Sequence, residues 1–390
     1  MFNGQRLKSA RIFRHLSITA LSEQIGVTKQ MISKYEKQGA QPTEDKVDAI
    51  VSKLKFPKDY FFGEDDDWLA KGESRTFYRS RTTTTQAEKK PAEFIKDVVN
   101  LLFDYLDNYV DMPTLDEDIP NRLEGMNPHQ AALGLRSIWG IGDAPISDVV
   151  ALMEVHGFAI ADISIKSEKI DAISGYAGDG KRYVVLYDSS FASYFRLQFS
   201  IAHELGHWIL HSNTYDPYDL NSLEYKEMEK EANDFASEFL MPADSFGVEA
   251  ESYSKSDIVE IISLKKRWEV SLGAIIYRMR ELGIISDVKY VALQKQISYK
   301  GWRKNEPLDS SPEYPVQKPM ILHEAFDMLL DADIVVDPTH LAESIYIKTG
   351  VDLPIDVLSM VTGFAIAKLE GNDSSLDFTP FKITLKRNEK

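Results

Sequence analysis

The 390-residue chain contains no cysteine. That excludes disulfides and thiolate metal ligands, so any zinc it holds must sit on histidine and glutamate side chains. No apolar run approaches the roughly 18 residues of a membrane-spanning helix. The first residues read as a helix carrying basic residues, not as a signal peptide. These absences point to a cytoplasmic protein with no membrane partner. No internal repeat is present, and the length suits two or three domains with well-buried cores. Histidine is also scarce: of eight in the chain, three fall between positions 203 and 211.

Charge is unevenly spread. Residues 1–60 carry eleven Lys and Arg against six Asp and Glu, whereas the rest carries 34 against 55. A basic head on an acidic body restricts contact with a polyanion to the head.

The histidine-rich stretch is Phe199-Ser200-Ile201-Ala202-His203-Glu204-Leu205-Gly206-His207-Trp208-Ile209-Leu210-His211. Histidines four apart on a helix lie on one face, about 5–6 Å apart at Cβ, where both imidazoles reach one tetrahedral ion. Glu204 lies on the flank of that face, the place of a general base acting on a metal-bound water. The bland alternative is an amphipathic core helix with backbone-bonded histidines, and a third ligand decides between them. The metzincin continuation would need glycine and histidine where Leu210 and Asn213 stand, so it fails. The gluzincin layout takes a glutamate from a later helix, and Met228–Met241, stopped by Pro242, supplies one. Glu229, Ala232, Asn233, Ala236 and Leu240 share a face, while Glu231 points about 200° away from Glu229. Glu229 is therefore the candidate third ligand and Glu231 a member of the solvated face; the converse assignment is the competing one. Asn233, one turn beyond Glu229, is placed to support a ligand from behind. His211 stays on the ligand face as a supporting or structural residue.

At these residues the chain resembles the ImmA/IrrE family of metallo-endopeptidases. The resemblance rests on His203-Glu204-Leu205-Gly206-His207, on Glu229-x-x-Ala232-Asn233-x-Phe235-Ala236, and on Leu240-Met241-Pro242. It extends to Ile173-Ser174-Gly175, Arg196-x-x-Phe199, Lys266-Arg267-Trp268-x-Val270-Ser271 and Gly301-Trp302-Arg303-x-x-Glu306-Pro307, spanning roughly residues 70–310. It implies that His203, His207 and Glu229 hold zinc, with manganese the other ion such a set accepts. Water would take the fourth position with its pKa lowered toward about 7, and Glu204 would be the catalytic base. Peptidases of this kind cut partner repressors in phage, mobile-element or stress circuits.

The head reads as a five-helix bundle over residues 4–62. Ile18–Val27 is a helix closed by Gly26, and Thr28 N-caps Lys29–Lys37, a helix-turn-helix pattern. With Ser33-Lys34-Tyr35-Glu36 and Gly39-Ala40-Gln41-Pro42 it resembles the XRE (Cro/repressor-like) class. That resemblance puts Thr28, Lys29, Gln30, Ser33 and Lys34 at the bases and phosphates of a double-stranded operator, bound by a homodimer, with Ile32 and Tyr35 packed inward.

The expected fold class is α+β, mainly helical. Residues 1–64 form the DNA-binding bundle. Residues 65–120 are a linker, with an acidic run at 64–67, an extended Phe77–Arg81 segment and an amphipathic packing or dimerisation helix over 91–110. Residues 121–310 form a gluzincin-like domain with a small sheet, and residues 311–390 a helical accessory region. Within the third unit the patterning predicts a helix at 146–156 and strands at 158–163, 172–176 and 182–187, the last two a hairpin across Gly178-Asp179-Gly180. The sheet edge would hold an extended peptide. Helices are expected from 271 to 278, 290 to 304, 320 to 330 and 338 to 350. The resulting expectation is a cytoplasmic transcriptional regulator with a zinc endopeptidase domain acting on a repressor-type protein. Two alternatives stay open: a transcription factor whose metal domain senses without turnover, and an antitoxin-like module binding a partner.

Overall fold

Local capping starts the head. The side chains of Asn3, Ser17 and Thr28 each accept backbone N–H groups at the starts of α1 (Gly4–Phe13), α2 (Ile18–Ile25) and α3 (Lys29–Glu36). Gly26, at φ +66°, ends α2 in the left-handed conformation that glycine adopts without strain. α4 (Glu44–Leu54) and a 3₁₀ turn at Asp59–Phe62 complete the bundle. Leu7, Leu21, Ile32, Ile50 and Tyr60 fill its core. Arg11 and Glu36 form a buried two-pronged pair, Nε to Oε1 at 2.5 Å and Nη2 to Oε2 at 3.0 Å, which fastens α1 to α3. This is a computed structural model, and it describes residues 1–63, 76–80, 86–163, 170–177, 180, 182–213 and 220–372. The acidic run at 64–67 falls outside these residues, as do Arg81, Gly178 and Asp179.

The body is built on one sheet. β1 (Thr76–Ser80) precedes α5 (Gln86–Leu106), α6 (Ile119–Arg122), α7 (Pro128–Ile138) and α8 (Val149–Val155). β2 (Ala159–Asp162), β3 (Ile170–Ala177) and β4 (Arg182–Tyr187) follow. The spatial order is β1-β3-β4-β2, with β1/β3 and β3/β4 antiparallel and β2/β4 parallel. Alternation along the strands divides the molecule between two cores. Ala159, Ala161, Ile173, Val184 and Leu186 face α5 and the head. Ile160, Ala172, Tyr183, Val185 and Tyr187 face the metal-motif helix and its neighbours.

That second core is closed by α9 (Tyr194–His211), α10 (Ser222–Leu240), α11 (Ala243–Glu251), α12 (Ile262–Trp268), α13 (Leu272–Glu281) and α14 (Asp287–Tyr299). α15 (Ile321–Asp331), α16 (Leu341–Thr349), α17 (Ile355–Thr362) and α18 (Ile366–Leu369) return to the first core beside α5. They also clasp the head: Arg14 forks onto Asp356 at 2.5 and 3.0 Å, and Arg6 Nη1 donates to the Gly350 carbonyl at 3.3 Å.

Several boundaries differ from the sequence expectation. The helix expected at 146–156 begins only at Val149, because Asp148 caps it and Gln198 Oε1 takes the Val149 N–H. The helix expected at 290–304 runs from Asp287 to Tyr299, started by the Ser286 cap. α5 is buried on almost every side, so it acts as a packing element within the chain. The edge of β3 is not open to a peptide, because β1 already pairs with it, Phe77 opposite Ser174. Among the described residues beyond 311, α17 and α18 form in addition to the two helices expected there.

Candidate metal centre

α9 and α10 cross at small residues. A Cβ added to Gly206 would lie 3.2 Å from the Ala232 carbonyl oxygen and 3.3 Å from its Cα. α10 enters that crossing through a capping box: Asn221 Oδ1 accepts from Leu223 and Glu224 N–H, and Glu224 Oε2 accepts from Asn221 N–H at 2.9 Å. The crossing brings Glu229 against the two motif histidines. His203 Nε2 and His207 Nε2 are 3.0 Å apart, His203 Nε2 is 3.4 Å from Glu229 Oε2, and His207 Nε2 is 3.3 Å from Glu229 Oε1. His203, His207 and Glu229 are the one group of this kind among the described residues whose donor atoms converge in this way.

These separations suit one tetrahedral ion, whose 2.0–2.1 Å bonds would place donor atoms about 3.3–3.4 Å apart. Hydrogen bonding agrees for His203. Asn233 Nδ2 donates to the Glu229 carbonyl at 2.8 Å, so its Oδ1, 3.1 Å from His203 Nδ1, must accept. His203 therefore carries its proton on Nδ1 and keeps a lone pair on Nε2. Glu229 Oε1 is buried and accepts no hydrogen bond. Two histidine nitrogens and a carboxylate oxygen in this arrangement fit zinc, and the chain has no thiolate to compete with them.

Glu204 is fully buried beside the ligands and outside their set. Ser174 Oγ donates to its Oε2 at 2.6 Å and stands 3.1 Å from the Tyr183 hydroxyl. Since the serine proton is committed to Glu204, Tyr183 donates to Ser174. Burial pushes the Tyr183 phenol well above its ordinary pKa, so it stays a donor. β1 closes the opposite side: the Phe77 ring stacks on His207 with centroids 4.8 Å apart and planes at 14°. A cavity of about 620 Å³ opens beside Glu229 and Asn233, walled by Tyr225, Tyr277 and Tyr290 with Arg196 and Lys226. The Tyr225 phenol is pushed up, by burial first and then by the charges of Glu229 and Glu204.

His211 is buried one turn beyond His207, its Nδ1 3.1 Å from His207 Nδ1 and its Nε2 3.0 Å from Glu231 Oε2. Glu231 is partly exposed and stands outside the ligand group, but it also has a partner: its side chain reaches back to the next turn of α9. Rotation about the helix axis fixes where Cβ starts, not where a long side chain ends. Ser174, Tyr183, Phe77 and Tyr225 also escaped sequence reasoning as site residues. Only Ser174 carried a signal, within Ile173-Ser174-Gly175.

In the head, Lys29, Gln30 and Lys34 are exposed on α3 and Ser33 is half-buried. Thr28 is exposed and accepts from Met31 N–H at 3.2 Å. Ile32 and Tyr35 are buried. Among the described residues no helix is long and apolar enough to cross a membrane.

Comparison with known proteins bears on both parts. Residues 7–61 match the family model described as Helix-turn-helix, and residues 153–280 match the peptidase model described as the IrrE N-terminal-like domain. That second match holds His203, Glu204, His207 and Glu229, and is narrower than the 70–310 resemblance seen in the sequence. An uncharacterized HTH-type transcriptional regulator, y4wC of Sinorhizobium fredii (strain NBRC 101917 / NGR234), is 34% identical over 92 residues. The aligned stretch is 24% of this chain and 61% of that relative, so under two thirds of the relative's length is covered. The chain therefore carries a region similar to XRE-type helix-turn-helix proteins and a region similar to the IrrE/ImmA-like peptidase domain.

Proposed function

We propose that this protein is a cytoplasmic, operator-binding transcriptional regulator whose second domain is a zinc-dependent endopeptidase acting on a repressor-type protein. The observation that carries the peptidase reading is the convergence of His203, His207 and Glu229 next to a buried glutamate that is not a ligand. Zinc held there supplies Lewis acidity that polarises a peptide carbonyl and acidifies water. Glu204 takes the proton of the attacking water and returns it to the leaving amine. The Tyr183–Ser174 hydrogen-bond chain fixes the Glu204 carboxylate plane for that transfer. Asn233 holds the His203 ring in the tautomer that presents Nε2. The Tyr225 hydroxyl stays protonated on the cavity wall, beside Glu229.

The DNA-binding part of the proposal rests on the basic, exposed face of α3. Lys29, Gln30 and Lys34 stand clear of the body as major-groove and phosphate contacts, with Thr28 and Ser33 at the helix start and flank. A homodimer on a palindromic operator is the arrangement proposed for it. The second reading, a metal domain that senses or binds a partner without turnover, draws on Phe77, which covers one side of His207.

Mass spectrometry of protein N-termini decides between the two readings. It compares cells making the intact chain with cells making Glu204→Gln. New termini that depend on Glu204 support the endopeptidase. Identical terminal sets from two zinc-loaded proteins support the second reading.

A further inference from the structure

Phe77 lies flat on the His207 ring and fixes its plane, but stacking cannot choose which nitrogen carries the proton. Something else must, because a ligand nitrogen needs its lone pair. Both nitrogens of His211 are engaged, Nε2 by Glu231 and Nδ1 by His207. A carboxylate only accepts, so the proton of the first contact sits on His211 Nε2. A neutral imidazole has one proton, so His211 Nδ1 is an acceptor and His207 Nδ1–H must donate to it. His207 Nε2, the atom facing His203 and Glu229, is then left with a lone pair.

The alternative fails on the same contacts. A His211 with both protons would donate from Nδ1, turn His207 Nδ1 into an acceptor and leave the His207 proton on the ligand atom. His211 is 1% exposed, and a proton left on the ligand atom of His207 would deny the metal its lone pair.

We propose that His211 and Glu231 are positioning residues: they form a relay that sets the tautomer of His207 and so presents its Nε2 to the metal. This rests on the metal-centre reading above. α10 thus serves the site twice, supplying the ligand Glu229 and, two residues later, the carboxylate that orients another ligand from behind. Glu231 has its side chain 43% exposed, so the far end of the relay opens to solvent.

The test reads the tautomer directly. The full chain, labelled with ¹⁵N in histidine and freed of metal, gives long-range ¹H–¹⁵N correlations that show which nitrogen of each ring is protonated. In the intact chain His207 is expected to carry its proton on Nδ1. In Glu231→Ala and His211→Phe it should move wholly or partly to Nε2. Glu231→Gln, whose amide oxygen still accepts from His211, should restore the Nδ1–H form. Zinc titration against a competing chelator should show about a 10–100-fold loss of affinity in Glu231→Ala, substantially recovered in Glu231→Gln. Glu231 is near the surface, so its variants are readable even where His211→Phe fails to fold. His207 protonated on Nε2 in the intact chain, or one tautomer throughout the series, would overturn the proposal. Loss of zinc without a change of tautomer would overturn it too, reducing the two residues to packing. Neither readout needs turnover. A chain that shows the relay and cuts nothing therefore sinks the peptidase reading and leaves this one standing.

Discussion

Gly206 of α9 and Ala232 of α10 meet backbone to backbone, and Glu229 stands one turn before that contact while His203 and His207 flank it. A methyl group at position 206 would also come within 3.1 Å of Phe235 Cδ1. The closest approach of the two helices therefore sets how far the carboxylate stands from the imidazoles. Gly206→Ala is expected to push α10 outward, weaken zinc binding about tenfold and cost about 1–3 kcal/mol in stability, as overpacking does. Chelator competition and thermal unfolding measure the two effects. Unchanged zinc affinity would mean the crossing does not position Glu229.

Glu204 touches Ser174 and lies outside the ligand set. Glu204→Gln should keep bound metal and lower peptide cleavage by about 10²–10⁴-fold, the range of general-base help. Ser174→Ala should have a smaller effect in the same direction, since it frees the carboxylate plane without removing the base. Metal content by emission spectrometry and a cleavage assay, run on the same preparations, check both. Loss of metal in Glu204→Gln would make Glu204 a ligand.

The exposed lysines of α3 give a prediction that is independent of the metal. Log affinity for duplex DNA falls with log salt by roughly 0.9 per phosphate neutralised. Lys29→Ala and Lys34→Ala should each reduce that slope by about one. Fluorescence anisotropy on a selected operator at several salt concentrations measures it. A slope that neither change moves would assign α3 to protein contacts.

Glu154 links α8 to the start of α15, accepting from Met320 N–H and Ile321 N–H at 3.1 Å. Burial pushes its carboxyl up to about 7. Its folded value lies above its unfolded one, so its contribution to stability is fully present below the unfolded value, near 4.5, and is lost as pH rises toward 7. Glu154→Gln keeps an accepting oxygen and removes the titration. Thermal unfolding of the variant should fall less between those limits than that of the intact chain, and parallel curves would contradict the assignment.

Much of this architecture is legible in the sequence because its signals are local. Ser17, Gly26 and Thr28 mark the helix ends of the head within a few residues. The short apolar run of β4, set between Gly180 and Asp188, and the four-residue histidine spacing in α9 can be read directly. Glu229 was legible through the small residues that share its face. The rest depends on tertiary order. The pairing of Phe77 with Ser174, which puts one ring on His207 and one hydroxyl on Glu204, follows from β1 joining the edge of β3. No local pattern encodes that choice. The reach of Glu231 to His211 is not legible either, because angular position ignores the length of a side chain. α17 and α18 have 8 and 4 residues, too few for helical periodicity to stand out.

Zinc titration of the purified full chain beside Glu229→Ala tests the central claim most directly. The convergence of His203, His207 and Glu229 predicts a single tight site in the intact chain, with most of that binding lost in Glu229→Ala while the fold, followed by circular dichroism, is retained. Equal zinc affinity in the two proteins would contradict the metal centre described here.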